Sequence, residues 1–145
     1  MSQFNNVQLL GIDYGEKVIG LSTYCHGRDP FPLLHGRIIV LNQQKTLEEL
    51  AKVCDEELVE GIVLGLPFLT DGTESTMTVK VRAFGELLKE NLPSIALYYQ
   101  DETLSTYEAG ERMKNDPRFN FKVDPKSIDT LSAAIIIEAF INDRK

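Results

Sequence analysis

The sequence predicts a mixed α/β protein in which a β-sheet is flanked by helices, and three observations carry that prediction. Two short apolar runs, Val7–Asp13 and Val18–Tyr24, are separated only by a tight turn containing Gly15, the pattern of paired neighbouring strands. The run Ile62-Val63-Leu64-Gly65-Leu66 is apolar without a break, as a strand covered on both faces must be. Beyond the early strands, strand and helix patterns alternate, which places helices against the sheet.

The elements follow in order. Arg37–Leu41 is a third β-rich run, after a loop carrying Pro30, Pro32 and Gly36. Thr46-Leu47-Glu48-Glu49 has the form of a capping box, and Leu47, Leu50, Ala51, Cys54 and Leu58 then recur at helical spacing. Gly61 ends that helix and the Ile62–Leu66 strand begins. A loop with an Asp71-Gly72 turn leads to a helix over Thr76–Asn91, expected to bury Val79, Phe84, Leu87 and Leu88. Pro93 precedes a strand at Ile95–Tyr99. Ser105-Thr106-Tyr107-Glu108 is a second capping box and opens a helix reaching about Asn115. Asp116–Pro125 has two prolines and no periodicity and reads as a loop; the last helix runs from Ser127 through Phe140. No repeat, low-complexity tract or long linker divides residues 1–145, so one domain is expected.

Composition narrows the function. With 15 Lys and Arg against 22 Asp and Glu the formal charge is −7, which argues against gripping nucleic acid by bulk electrostatics. The charge is uneven, however. Between Glu111 and Lys126 five basic residues face three acidic ones, whereas Glu48–Glu60 is strongly acidic. Cys25 and Cys54 lack metal-ligand spacing and do not combine with His26 or His35 into a zinc pattern, so free thiols in a reducing cytoplasm are expected. No secretory signal and no membrane-length apolar run is present, and the expected location is cytoplasmic.

Asp13 draws attention because it ends an apolar strand that contains no Lys or Arg. A carboxylate there either begins the turn with Gly15 or needs a cation to offset its desolvation, and a divalent ion would serve. Asp101-Glu102 falls at the carboxyl end of another strand, where ligands of open α/β sheets collect. Asp129 lies in the first turn of the last helix, a position the helix dipole alone would favour. Taken together, Asp13, Glu102 and Asp129 could supply oxygen ligands to one or two Mg²⁺ or Mn²⁺ ions, and such a cluster should have raised pKa values when empty. No Gly-rich phosphate loop ending in Lys-Ser/Thr and no Gly-x-Ser-x-Gly elbow competes with that reading.

In that order the chain resembles the YqgF/RuvX family of ribonuclease-H-like proteins, described as Holliday-junction resolvases and as pre-16S rRNA nucleases. Four blocks carry the likeness. They are Leu10-Gly11-Ile12-Asp13-Tyr14-Gly15 with Lys17, Ile19 and Gly20; Ile62–Pro67 with Asp71-Gly72-Thr73-Glu74 and Lys80-Val81-Arg82-Ala83-Phe84; Asp101–Thr106 with Glu108-Ala109; and Lys126 with Asp129, Ala133 and Ala134. The resemblance implies a five-stranded mixed sheet whose second strand is antiparallel, catalytic and metal-holding roles for Asp13, Glu102 and Asp129, and metal-dependent hydrolysis of nucleic-acid phosphodiesters in maturation of small-subunit ribosomal RNA. Lys17, Lys80, Arg82 and Lys126 are the candidate substrate contacts, with Asp101 as a further orienting group.

The chain also departs from the family: Val18 and Thr103 stand where its members usually carry Arg. Neither can replace a bidentate phosphate contact. Three readings therefore stay open, namely a nuclease acting on ribosomal-RNA precursor, a DNA-junction endonuclease, and a binding or assembly protein that keeps the scaffold without the activity. A sugar-kinase or actin-like ATPase shares the strand-borne Asp-x-Gly but needs a second comparable domain. The expected partner is nucleic acid, RNA precursor ahead of DNA junction, with no membrane association and a homodimer as the candidate assembly.

Overall fold

A computed structural model describes residues 3–102, 105–119, 122–124 and 127–144. Five strands, β1 (Gln8–Asp13), β2 (Val18–Cys25), β3 (Leu33–Ile39), β4 (Gly61–Leu66) and β5 (Ala96–Asp101), form one sheet in the order β3-β2-β1-β4-β5. β2 is antiparallel to β1 and to β3, while β4 is parallel to both β1 and β5. This is the mixed sheet that the resemblance implies. The helices are α1 (Gln43–Glu56), α2 (Thr76–Asn91), α3 (Ser105–Lys114) and α4 (Ile128–Asn142).

Strand alternation divides the core between two faces. Leu10 and Ile12 of β1, Ile19 and Leu21 of β2 and Ile38 of β3 meet Leu47 and Leu50 of α1 and Val81, Phe84 and Leu88 of α2. On the other face Leu9, Tyr24 and Val63 meet Ile136, Ile137 and Phe140 of α4. The far side of α4 is covered by Ala109 and Met113 of α3. Because it is sandwiched, α4 buries every residue from Thr130 to Ile137, and its sequence is correspondingly apolar all round. Gly11 permits that close approach, since a Cβ there would lie 2.6 Å from Ile137 Cγ1 and 2.7 Å from the Ala133 carbonyl oxygen.

Several expectations are corrected. α1 starts at Gln43, capped by Asn42, whose side-chain oxygen accepts the Lys45 N–H at 2.8 Å. Thr46 is therefore inside the first turn, not its cap, with its hydroxyl buried and unpartnered among the described residues. Leu58 lies past the helix end at φ +55° and is 77% exposed. α2 has the expected bounds, with Ser75 and Thr78 forming a reciprocal cap. Its buried stripe is Val81, Phe84 and Leu88, and Val79, which falls off that stripe, is 61% exposed. β3 begins at Leu33, earlier than the Arg37 expected, and a 3-10 turn at Pro117–Phe119 interrupts the loop after α3. Among the described residues no helix is long and apolar enough to cross a membrane.

Candidate active site

β1 and β5 run in the same direction, so Asp13 and Asp101 close their strands at one end of the sheet, with Glu102 the next residue on. Asp13 is 9% exposed, and its neighbours on both sides are glycines. Gly20 of β2 pairs with it directly. Gly65 of β4 follows Leu64, which pairs with Ile12. Each glycine leaves a window. A Cβ on Gly20 would overlap the Asp129 carbonyl and stand 2.9 Å from the Asp129 Cβ, so the first turn of α4 rests on bare β2 backbone. A Cβ on Gly65 would lie 2.8 Å from Glu102 Cδ and 2.5 Å from Ile136 Cδ1. The two windows admit Asp129 and Glu102 on either side of Asp13.

The electrostatics follow from that crowding. Asp13 is held well above the ordinary carboxylate range, first by burial and then by the Glu102 charge, a hydrogen bond with the Glu102 side chain and the Asp129 charge. Two carboxyl groups can share a hydrogen bond only if one of them keeps a proton. Asp129 is also raised by burial, with Arg37 pulling the other way. Asp129 thus bears on Asp13 through charge alone. Among the described residues no group of three His, Cys, Asp or Glu closes into an ion-holding cluster in this conformation. The donor set itself, carboxylate oxygens without His or Cys, fits hard divalent ions such as Mg²⁺ and Mn²⁺ better than softer metals.

The remaining candidates divide. Lys17 sits exposed in the β1–β2 turn, and its carbonyl accepts the Val40 N–H. Lys80 is paired with Glu16 at 3.0 Å and Arg82 with Glu74 at 2.7 Å, so both cations are locally balanced. Asp101 is exposed at the end of β5. Thr103 and Lys126 lie outside the described residues, as does the side chain of Ser105, the expected cap of α3. Val18 opens β2 opposite Ile39. Arg37, which the sequence reading passed over, pairs with Gly20 on the side away from Asp13. The signal for it would have been strand alternation, but a bulge in β3 inverts that alternation.

An α/β sheet of this order with acids at its open end is the ribonuclease-H-like fold. Among solved structures, Thermus thermophilus RuvC matches with a TM-score of 0.60 at 13% identity, over 94% of this chain and 96% of that one. The Fowlpox virus resolvase, solved with substrate Holliday junction DNA, matches at 0.58 and 8% identity over 94% and 98%. At those identities the likeness shows the fold. The sequence goes further: a family model described as "RuvX: Holliday junction resolvase" matches residues 7–143. A protein of Nitratidesulfovibrio vulgaris named "Putative pre-16S rRNA nuclease" is 34% identical over 94% of each chain. One of the same name from Clostridium acetobutylicum is 30% identical over 94% of this chain and 98% of its own. The chain belongs to the RuvX family, a family of nucleases.

Proposed function

We propose that this chain is a divalent-metal-dependent nuclease that hydrolyses phosphodiesters of the small-subunit ribosomal RNA precursor, with Asp13, Glu102 and Asp129 as its catalytic acids. The observation that carries the reading is the buried Asp13 at the end of β1, with Glu102 and Asp129 admitted on either side of it through the gaps left by Gly65 and Gly20. Three segments far apart in sequence spend folding energy to bring like charges together, which a structural role does not require. Bound Mg²⁺ or Mn²⁺ would offset that repulsion, activate water and neutralise charge on the leaving oxygen. Asp13, fixed at a strand end and flanked by two glycines, sets the centre of the donor set. Glu102 reaches Asp13 across the gap left by Gly65, and Asp129 is held in place by the seat of α4 on Gly20. Lys17 stands at the same end as a backbone-phosphate contact.

Support for the RNA substrate comes from the names of the curated relatives. The DNA-junction reading is favoured by structural neighbours solved with such junctions, at the level of fold. End-labelled pre-16S RNA and a labelled four-way DNA junction, each incubated with purified protein and Mg²⁺ or Mn²⁺, separate the two. The proposal expects metal-dependent cleavage of the RNA that is lost in Asp13→Asn and in Glu102→Gln. Cleavage undiminished in both variants, or RNA binding without cleavage that is the same in Asp13→Asn, overturns it.

A further inference from the structure

A phosphodiester strand arriving at three acids, in a chain of formal charge −7, needs cations to hold it. Most are already engaged. Among the described residues nine Lys and Arg side chains hold a carboxylate within 4.0 Å. Arg144 stacks on Phe140 and donates to its carbonyl. Lys17, Arg37 and Lys122 are the described cations with no such pairing, and of these Arg37 stands on the sheet itself.

Its placement depends on one irregularity. β3 pairs with β2 as Thr23↔Leu33 and Ser22↔Leu34, then shifts register, so that Leu21↔Gly36, Gly20↔Arg37 and Ile19↔Ile38 follow. The extra residue is His35, and Gly36 beside it has φ +101°, a backbone setting that favours glycine. Without the bulge Arg37 would oppose Ile19 and point into the core beneath α1 and α2. With it, Ile38 takes that buried place and Arg37 joins the face of Gly20 and Asp13. Side chains directly opposite on neighbouring strands share a face, so Asp13, Gly20 and Arg37 form one row across three strands. Two strand spacings of about 4.8 Å put the Arg37 backbone roughly 10 Å from that of Asp13. Between them Gly20 contributes no side chain, only the surface on which Asp129 rests.

We propose that Arg37, turned onto the acids' face by the Gly36 bulge, binds a phosphodiester oxygen of the substrate strand beside the carboxyl cluster. The inference rests on the nuclease reading for the identity of its ligand. A guanidinium suits the task because its planar fork engages two phosphate oxygens at once and stays charged at any working pH. Arg37 is exposed and, among the described residues, holds no carboxylate within 4.0 Å, so its guanidinium can turn to a phosphate while still acting on Asp129 through charge.

The test is a salt titration of binding, with the metal chelated to hold off cleavage, using a fluorescent single-stranded RNA of the pre-16S leader. Arg37→Ala should weaken binding roughly tenfold or more, as loss of a charge-assisted hydrogen bond does. It should also flatten the slope of log K against log salt by about 0.7 to 1, with no change in Tm. Arg37→Lys should restore the slope and only part of the affinity. Lys52→Ala, which removes an equal charge from α1, should leave the slope as in wild type. An unchanged slope in Arg37→Ala, or an equal loss in Lys52→Ala, overturns the subsite. Failure of the nuclease reading is distinguishable, because it appears as cleavage indifferent to Asp13→Asn whatever the slope.

Discussion

Replacing Asp13 by Asn should make the metal-free protein more stable at neutral pH. Asp13 is nearly fully buried and its pKa is raised, by burial first and by Glu102 and Asp129 after that. A carboxyl group whose folded pKa exceeds its unfolded value contributes stability that is fully present below the unfolded pKa, near 3.8 for this residue. That contribution is lost as pH rises through the folded value. As pH rises toward 7 wild type loses it, at about 1.4 kcal/mol for each pH unit climbed between the unfolded and the folded value. Asn cannot ionise, and its amide donates to Glu102 without needing the shared proton. The variant should therefore gain about 1 kcal/mol or more at pH 7, and each kcal/mol is worth about 2–4 °C of Tm in a chain of this size.

Thermal denaturation followed by circular dichroism between pH 4 and 8, in chelator and then in Mn²⁺, measures the effect. In chelator the variant's advantage should shrink toward pH 4. In Mn²⁺ the order should invert, because an ion bound only to folded wild type adds about 2.7 kcal/mol at one hundred times its dissociation constant. A variant no more stable than wild type at pH 7 in chelator, or an advantage that grows toward pH 4, would refute the argument.

Two further substitutions probe the packing. Gly20→Ala drives a methyl into helix backbone and Gly65→Ala drives one into movable side chains, so both should destabilise, by about 1–3 kcal/mol, with Gly20→Ala the more costly; urea denaturation ranks them, and the reverse order would mean that α4 is not seated on β2. Thr46→Val removes a buried hydroxyl with no described partner and should raise Tm by a few degrees, up to about 1 kcal/mol in stability, in a calorimetric scan.

What the sequence revealed and concealed follows from the range of each signal. Val81, Phe84 and Leu88 fall at helical spacing, and Ile62–Leu66 is apolar throughout, so the bounds of α2 and β4 could be read locally. Val79 and Leu58 were misplaced because an apolar side chain carries no label for which stripe it joins, or whether the helix still continues. Asn42 lost to Thr46 as the expected cap because both begin plausible first turns, and only the packing of Leu47 and Leu50 on the sheet fixes the phase. The positions of Asp13 and Glu102 were legible because Asp13 closes one strand and Glu102 directly follows another. The glycines that let them meet were not, since the need for Gly20 and Gly65 arises from residues 109 and 37 positions away. Arg37 was hidden for a related reason: one inserted residue reverses the face of everything after it.

The site is thus a property of what the strands omit as much as of what they carry. With side chains on Gly20 and Gly65, Asp13 would sit between two walls, and neither α4 nor the residue after β5 could approach it. Removing those walls costs stability twice, since glycine weakens a strand and the admitted acids repel. Asp129 feels the compensating pull of Arg37, which reaches this face through a second conformational concession, the left-handed backbone at Gly36. Local arrangement also resolves the apparent conflict between a −7 chain and an anionic ligand. Paired cations elsewhere balance the chain's own carboxylates, while Lys17 and Arg37, which hold no carboxylate within 4.0 Å among the described residues, lie at or beside the strand end that crowds the acids. If Arg37 and Lys17 hold the substrate strand as proposed, binding depends on a few oriented contacts and not on total charge, so an acidic protein can still hold a polyanion where its chemistry is placed.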